Sequence, residues 1–333
     1  MPAIVAIVYN QPDTGRYQNM GEEKAILGVL DEVGAVNQAL EGLGYIVQQV
    51  PLVPPLAQAR ERIRSLQVDL VFNLFEGFDG CPETEAVVAG WLGELGVPVT
   101  GCPAETLALA LDKARAKQLL EAASINTPRY QLLNPGNLPT FYLRYPCIVK
   151  PSGEDASHGV SEESVVNDSA ALAVQVARIS RLFGGTALVE EFIDGREFNV
   201  TVMGDDEVTV LPVSEIVYSL PVGMPRVLTF AAKWEPDTVY FQHTKVTCPA
   251  EIDDGLRGRI RETAKAVFRL FGGRGYARVD MRLGADGELA VLEMNPNPDI
   301  SPGSGAARQA EATGASYQQF IERIIHLARK ASR

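Results

Sequence analysis

Apolar positions along this chain recur in two periods. Short apolar or alternating runs predict strands at Ile4–Tyr9, Tyr45–Val50, Asp69–Leu74 and Val97–Thr100. Between them, Val33, Val36, Leu40 and Leu43 fall on one helical face ahead of Gly44. Helices are therefore predicted over 31–43, about 57–66 and 83–95. Strand–helix alternation of this kind predicts a parallel sheet covered on both faces, as an α/β domain over residues 1–102.

Beyond it the pattern changes. Residues 104–123 are rich in Ala, Leu, Lys and Glu and predict one strong helix. Strands are predicted at Pro146–Lys150, Thr186–Glu190, Glu197–Met203 and Val208–Pro212, with a helix over 168–182 and a polar loop over 151–159. Strands and helices mix without strict alternation, which predicts α+β. Residues 219–250 carry Pro221, Gly223, Pro225, Pro236 and Pro249 and predict a long loop, the kind that is usually functional in a compact domain. A helix over about 251–271, a hairpin over 276–295 and a helix over 314–331 close the chain.

Composition narrows the function. A 46% hydrophobic and 22% charged chain of 333 residues is an ordinary globular protein of two or three domains. Its net charge of −12 argues against general nucleic-acid or anionic-membrane binding. A few lysines still suffice to make a local pocket for a small anion. Cys81, Cys102, Cys147 and Cys248 show no CxxC spacing, so neither disulfides nor a zinc site is expected. With no basic leader and no apolar run of membrane length, the expected location is the cytoplasm.

The candidate chemistry centres on Tyr276–Asn295. Asp286-Gly287 between alternating apolar residues predicts a two-residue hairpin turn. That register sets Asp280 opposite Glu293 and Arg278 opposite Asn295, all four on one face. Val279, Met281 and Leu283 then share the other face with Ala290, Leu292 and Met294. Two carboxylates side by side repel unless a cation lies between them. Asp280, Glu293 and Asn295 are hard oxygen donors suited to magnesium. Arg278 beside them suits a phosphate or a developing oxyanion. A solvated polar face is the alternative reading, and the rigid polar run Pro296–Gly305 favours the metal.

Lys150 ends an apolar strand ahead of Pro151–Gly159, a small-residue loop of the sort that closes over phosphates. Ala187–Glu197 delivers a turn carrying Glu190 and Glu197, with backbone at 191–193 free to meet an adenine edge and Phe192 or Ile193 to cover its face. There is no GxxxxGK[ST] and no GxSxG; Gly273–Arg278 precedes a strand where a dinucleotide fingerprint would open a helix.

Taken in order, these residues resemble the ATP-grasp superfamily, and within it the D-alanine–D-alanine ligase family. The likeness runs from about Phe72 to Ala328 through Asp112-Lys113, Ile125–Pro128, Ile148–Ser152, Val189–Phe198, Ala231–Trp234, Arg278–Asp280 and Glu293–Asn295. It implies a small ATP-grasp subdomain over 103–188 and a C-terminal subdomain over 189–333. It also implies an ATP-dependent carboxylate–amine ligase joining small amino acids through an acyl phosphate, acting as a homodimer. By the resemblance, Lys113 and Lys150 hold the ATP phosphates and the loop around Ser157 closes over them. Glu190, Glu191, Phe192, Ile193 and Glu197 bind adenosine, and Asp280, Glu293 and Asn295 ligate magnesium (or manganese). Arg278 stabilises the oxyanion, Lys233 joins from the 219–250 segment, and Ser304 takes the second substrate's carboxylate.

Departures fall at the amino-acid end. Asn10–Glu32 lacks the family's short serine- and glutamate-containing stretch, leaving Glu22, Glu23, Asp31 and Glu32 as candidate partners for an ammonium group. Glu76 replaces a histidine and Asp299 a glycine of the family's substrate site, and Trp234 replaces a tyrosine. Two other readings therefore stand beside D-alanine ligation: a ligase for other amino acids or a natural-product intermediate, and an ATP-binding regulator without turnover.

Overall fold

The computed structural model describes residues 2–13, 23–78, 80–153 and 157–331. Glu22 and residues 154–156 of the predicted phosphate loop lie outside them, as does the side chain of Glu23.

The first elements are β1 (Ile4–Asn10), α1 (Glu23–Gly42), β2 (Ile46–Leu52), α2 (Leu56–Arg64), β3 (Leu70–Leu74) and α3 (Thr84–Gly93). The strands form the expected parallel sheet, in the order β2-β1-β3. Val5, Ile7 and Tyr9 of β1 pack with Val29, Val33, Val36 and Leu40 of α1. Ala6 and Val8 face the other way, onto Ala59 and Ile63 of α2 and Val88 and Leu92 of α3. A strand covered on both faces has no polar alternation to show, so the run reads as unbroken. The strand expected at 97–100 reduces to one bridge, Val71 to Val99, where Pro98 withholds a ladder donor.

Next come α4 (Ala104–Leu111) and α5 (Lys113–Ala122), where one continuous helix was expected. Asp112 makes the break: it leaves helical geometry at ψ 82°, and its carboxylate accepts the Arg115 N–H at 3.0 Å. Lys113 thereby becomes the first residue of α5. A four-stranded antiparallel sheet follows, in the order β4-β7-β5-β6. It is built from β4 (Tyr130–Leu133), β5 (Cys147–Pro151), β6 (Val165–Val166) and β7 (Ala187–Glu191), with α6 (Ser169–Phe183) packed on it.

The largest sheet runs β11-β10-β8-β12-β13, with β9 added on β8. Its strands are β8 (Arg196–Gly204), β9 (Val208–Val210), β10 (Ser214–Tyr218), β11 (Thr244–Thr247), β12 (Gly275–Leu283) and β13 (Leu289–Asn295). The 219–250 segment is thus more than a loop. It holds α7 (Phe230–Trp234) and α8 (Val239–His243), capped by Thr229 and Thr238, and ends in β11. Behind the sheet lies α9 (Asp254–Leu270), whose Ile260, Ala264, Val267 and Phe268 pack on Phe198, Val200, Val279 and Met281. The chain closes with α10 (Gly305–Glu311) and α11 (Tyr317–Ala331). Phe320, Ile321, Ile324, Ile325 and Ala328 form one stripe of α11 in the core cluster shared with α1, tying the chain's end to the first sheet. No helix among the described residues is long and apolar enough to cross a membrane.

The β12–β13 hairpin departs from the expected turn. Leu283 pairs with Leu289, and the Gly284 N–H meets the Glu288 carbonyl at 2.9 Å, so the loop is the three residues 285–287 with Gly287 at φ 81°. A register shift between Asp280 and Met281 absorbs the difference of one residue. The pairs Asp280–Glu293 and Arg278–Asn295 form as expected. The faces beyond the bulge are exchanged: Met281 now opposes Val291, and Val291 rather than Leu292 joins Val279 and Met281 in the core. Leu292 instead lines a cavity, and Ala290 pairs with Arg282.

Candidate active site

That cavity, of about 880 Å³, lies where the two antiparallel sheets meet the carboxyl ends of β1 and β3, from which Asn10 and Glu76 reach it. One wall is a polar platform of three strands. β8 pairs with β12 so that Asn199 opposes Asp280 and Glu197 opposes Arg282. Period two then gathers Glu197, Asn199, Arg278, Asp280, Arg282, Glu293 and Asn295 on the cavity side, while Phe198, Val200, Val279 and Met281 turn into the core.

Within the platform Arg278 grips Asp280 through two hydrogen bonds of 2.8 Å each. Lys113 Nζ approaches Glu293 Oε2 at 3.5 Å. Burial alone would raise the Glu293 carboxyl, but Lys113, Lys150, Arg278 and Lys233 outweigh it and hold it down at about 2. Glu293 is therefore ionised throughout the physiological range. Burial, reinforced by Arg278, lowers the Lys233 ammonium against the pull of Asp280, Glu293 and Glu197.

The opposite wall carries Glu190, buried between two lysines. Lys150 Nζ stands 2.6 Å from Glu190 Oε2, and Lys117 pairs with Oε1. Lys117 also donates to Thr127 Oγ1 at 2.8 Å, which in turn donates to the Val291 carbonyl at 2.8 Å. Burial opposes ionisation of Glu190, and the two lysines overcome it and lower its pKa. Burial and the nearby Lys150 push the Lys117 ammonium down, with Glu190 pulling the other way.

Across three adjacent strands of the large sheet, Glu197 Oε2 accepts from Tyr218 Oη at 2.8 Å and from Arg282 Nε at 3.1 Å, with Arg282 Nη2 closing the fork. Gly195 makes this corner buildable, since a Cβ there would fall 1.9 Å from the Leu283 carbonyl oxygen. Over the cavity the two loop segments touch: the Phe230 N–H donates to the Val160 carbonyl at 3.2 Å, and the His158 and Phe230 rings lie 5.8 Å apart. Ser157 lines the cavity with φ 63°, in the left-handed region.

The cavity collects Lys113, Lys150, Ser157, Lys233, Arg278, Asp280, Glu293 and Asn295, the adenosine candidates Glu190 to Ile193 and Glu197, and the substrate candidates Glu76 and Asp299. Ser304 does not line it. Its hydroxyl caps α10, accepting from the Ala307 N–H at 3.4 Å. Glu32, a candidate ammonium partner, is also off the cavity: it is buried, and its Oε1 accepts the Ile300 N–H at 2.8 Å. Asp31 is exposed on α1.

Glu32 makes a testable point. Burial raises its carboxyl well above the usual range, and Glu76 and Asp299 raise it further, against the Ile300 hydrogen bond. Tyr276 and Tyr317, whose pKa values Glu32 helps to raise, complete its titratable surroundings. A carboxyl raised by folding contributes fully below its unfolded pKa, and the contribution is lost as pH rises through the folded value. Glu32→Gln keeps an acceptor and removes the charge. Its gain in melting temperature is expected to be larger at pH 8.5 than at pH 5 by roughly 2–5 °C. Equal gains at both values in a thermal-shift assay would place the ionisation elsewhere.

Sequence pattern missed four contributors. Arg282 lies two residues after Asp280 and was open to the same alternation. Lys117 is one helical turn beyond Lys113. Tyr218 sits on β10, and Gln309 on α10; neither element was expected. Gln309 is fully buried and donates to Asn199 Oδ1 at 2.8 Å and Ser214 Oγ at 3.0 Å, which fixes Asn199 beside Asp280.

Comparison with known proteins agrees with this architecture. Residues 119–326 match the family model described as the D-ala D-ala ligase C-terminus. The chain belongs to the D-alanine–D-alanine ligase family. A D-alanine–D-alanine ligase of Xanthomonas axonopodis pv. citri is 34% identical over 89% of this chain and 88% of its own. A Sinorhizobium fredii protein is 33% identical over 98% of this chain and 97% of its own. Two solved structures share the fold. The VanG D-Ala:D-Ser ligase of Enterococcus faecalis superimposes with a TM-score of 0.75 at 22% identity, over 98% of this chain and all of its own. The Bacillus anthracis D-alanine–D-alanine ligase complexed with ATP does so at 0.75 and 20%, over all of this chain and 98% of its own. The family assignment makes the chain an ATP-grasp ligase.

The donor chemistry at the hairpin bears on which ion the site would suit. Among the described residues no group of three or more His, Cys, Asp or Glu side chains forms a protein-only metal cage. Asp280 and Glu293 are paired across two strands with the amide of Asn295 two pairs along, on the same face. Magnesium in phosphate-transfer sites takes one or two carboxylates and completes its shell with substrate phosphates and water. The donor set fits that ion.

Proposed function

We propose that this chain joins a small amino acid to an amine with ATP and magnesium (or manganese), through an acyl phosphate, in the manner of a D-alanine–D-alanine ligase. The observation that carries the reading is the pairing of Asp280 with Glu293 inside a ring of cations: Arg278, Lys113, Lys150 and Lys233. Adenosine lies along Glu190–Ile193 with its ribose at Glu197, and Lys113 and Lys150 bind the phosphates. Asp280, Glu293 and Asn295 hold the magnesium, which when bound neutralises charge on the transferred phosphoryl group. The γ-phosphoryl group passes to a substrate carboxylate oxygen and ADP leaves. The amine then attacks the acyl carbon, Arg278 stabilises the tetrahedral oxyanion, and phosphate departs. The contact of Val160 with Phe230 closes the site, and closure keeps water from the acyl phosphate.

Two carboxylates that line the same cavity, Glu76 and Asp299, favour a second reading in which the joined amino acid or natural-product intermediate is not D-alanine. One assay covers these outcomes. The protein is incubated with ATP, magnesium and pools of amino acids, and phosphate release is followed. Release with some pool is expected, and mass spectrometry of that reaction names the product. ATP binding without release from any pool would leave a regulator and sink the ligase.

A further inference from the structure

Arg282 is a buried cation at the edge of the nucleotide pocket, 4% exposed, and four hydrogen bonds from its donors go to protein. Nε and Nη2 fork onto Glu197 Oε2. Nη1 donates to the Ile193 carbonyl at 2.7 Å, and Nη2 also reaches the Arg226 carbonyl. The guanidinium lies 4.9 Å from the Phe192 ring centroid. Three parts of the molecule meet on this one group. They are the 191–193 turn proposed to hold adenine, the carboxylate proposed to hold ribose, and the chain at 219–229 that leads into α7.

A buried guanidinium needs partners for its donors, and here Glu197 and two carbonyls take four of its five N–H groups. These bonds commit Nε and Nη2 fully and Nη1 in part to protein, which makes Arg282 a group held in place by its neighbours. It also orients Glu197: with Tyr218 and Arg282 on Oε2, the carboxylate's other oxygen, Oε1, takes no hydrogen bond among the described residues and is left to accept from a ligand hydroxyl. The Arg226 side chain reinforces the same junction by pairing with Asp194 at 3.0 Å, although that pair is half-exposed and contributes little.

We propose that Arg282 is a positioning residue that latches the 219–229 chain to the nucleotide turn, so that nucleotide binding and closure of the 219–250 segment are one event. The proposal rests on the nucleotide reading given above. Occupation of the turn holds Ile193 and Glu197 in place. They hold Arg282, and Arg282 holds the Arg226 carbonyl.

The test uses the full chain with ATP and magnesium. Hydrogen exchange is followed over 219–229 with and without nucleotide, beside steady-state kinetics on the substrate found by phosphate release. Arg282→Met removes the fork but leaves Glu197 buried and unpaired, so Arg282→Lys is made as well. It keeps the charge against Glu197 and lacks the planar fork that spans to both carbonyls. For the lysine variant, KM for ATP is expected to rise about tenfold while kcat at saturating ATP falls less than about threefold. ATP-dependent protection of 219–229, present in the parent, is expected to be lost. A lysine variant with parental KM and parental protection overturns the latch. A parent protein that binds no ATP overturns the nucleotide reading instead, and the two failures are distinct.

Discussion

Asp280→Asn and Glu293→Gln are each expected to lower kcat by about 10³-fold or more, the scale on which electrostatic groups at a reacting centre act. Both substitutions keep the side-chain shape and remove one negative charge. The two carboxylates face each other across β12 and β13, an arrangement that costs free energy in a bare sheet. Arg278 and Lys113 offset that cost here, at 2.8 Å from Asp280 and 3.5 Å from Glu293. Removing one charge of a repelling pair leaves Arg278 or Lys113 less well matched and relieves the repulsion, so the effects on folding are opposed and small. Urea denaturation is expected to give midpoints near the parent's, while the rate collapses. A variant that kept near-normal phosphate release at saturating magnesium would remove these residues from the metal site. A rate lost together with the fold would make the pair structural.

Why the platform was legible and its neighbourhood was not follows from range. The polar face of β12 and β13 is written in an alternation of two within twenty residues, so Arg278, Asp280, Glu293 and Asn295 could be set opposite one another without knowing the fold. The turn was misjudged because Asp286-Gly287 also suits a three-residue loop with Gly287 in the left-handed region. The bulge that compensates has no sequence mark and is fixed by packing on both sides. That single slip moved Leu292 from core to cavity. Lys117 was passed over because helix composition does not tell a solvated lysine from one whose partner, Glu190, arrives some seventy residues later. Ser304 took its expected role from the family likeness alone, and with α10 unseen its part as that helix's cap was not legible. The parallel first sheet was plain because its burial is local to each strand, whereas the covering of that sheet by α11 joins the two ends of the chain.

The two lysines on Glu190 are expected to fail in different ways, and burial decides which. Lys117 is 2% exposed, is tied to Thr127 and through it to the Val291 carbonyl, and does not line the cavity. Lys150 is 15% exposed and does line it. Lys117→Met leaves Glu190 with Lys150 alone, strips the buried Oε1 of its partner and breaks the link to Thr127, and is expected to cost about 1–3 kcal/mol of stability. Its effect should be complete above the unfolded pKa of Glu190 and shrink in acid, because a carboxyl lowered by folding contributes fully above that value and loses its contribution as pH falls through the folded one. Lys150→Met leaves Glu190 still paired with Lys117, so its stability cost is smaller and its main result is loss of ATP affinity, on the order of 10²-fold for a charge-assisted phosphate contact worth 1.5–3 kcal/mol. Denaturation midpoints at about pH 3 and pH 8, on either side of the window in which Glu190 titrates, with ATP titrations of each folded variant, separate the two. Equal destabilisation by both substitutions, with ATP binding intact in Lys150→Met, would mean that Glu190 and its lysines form a core ion cluster with no part in holding nucleotide.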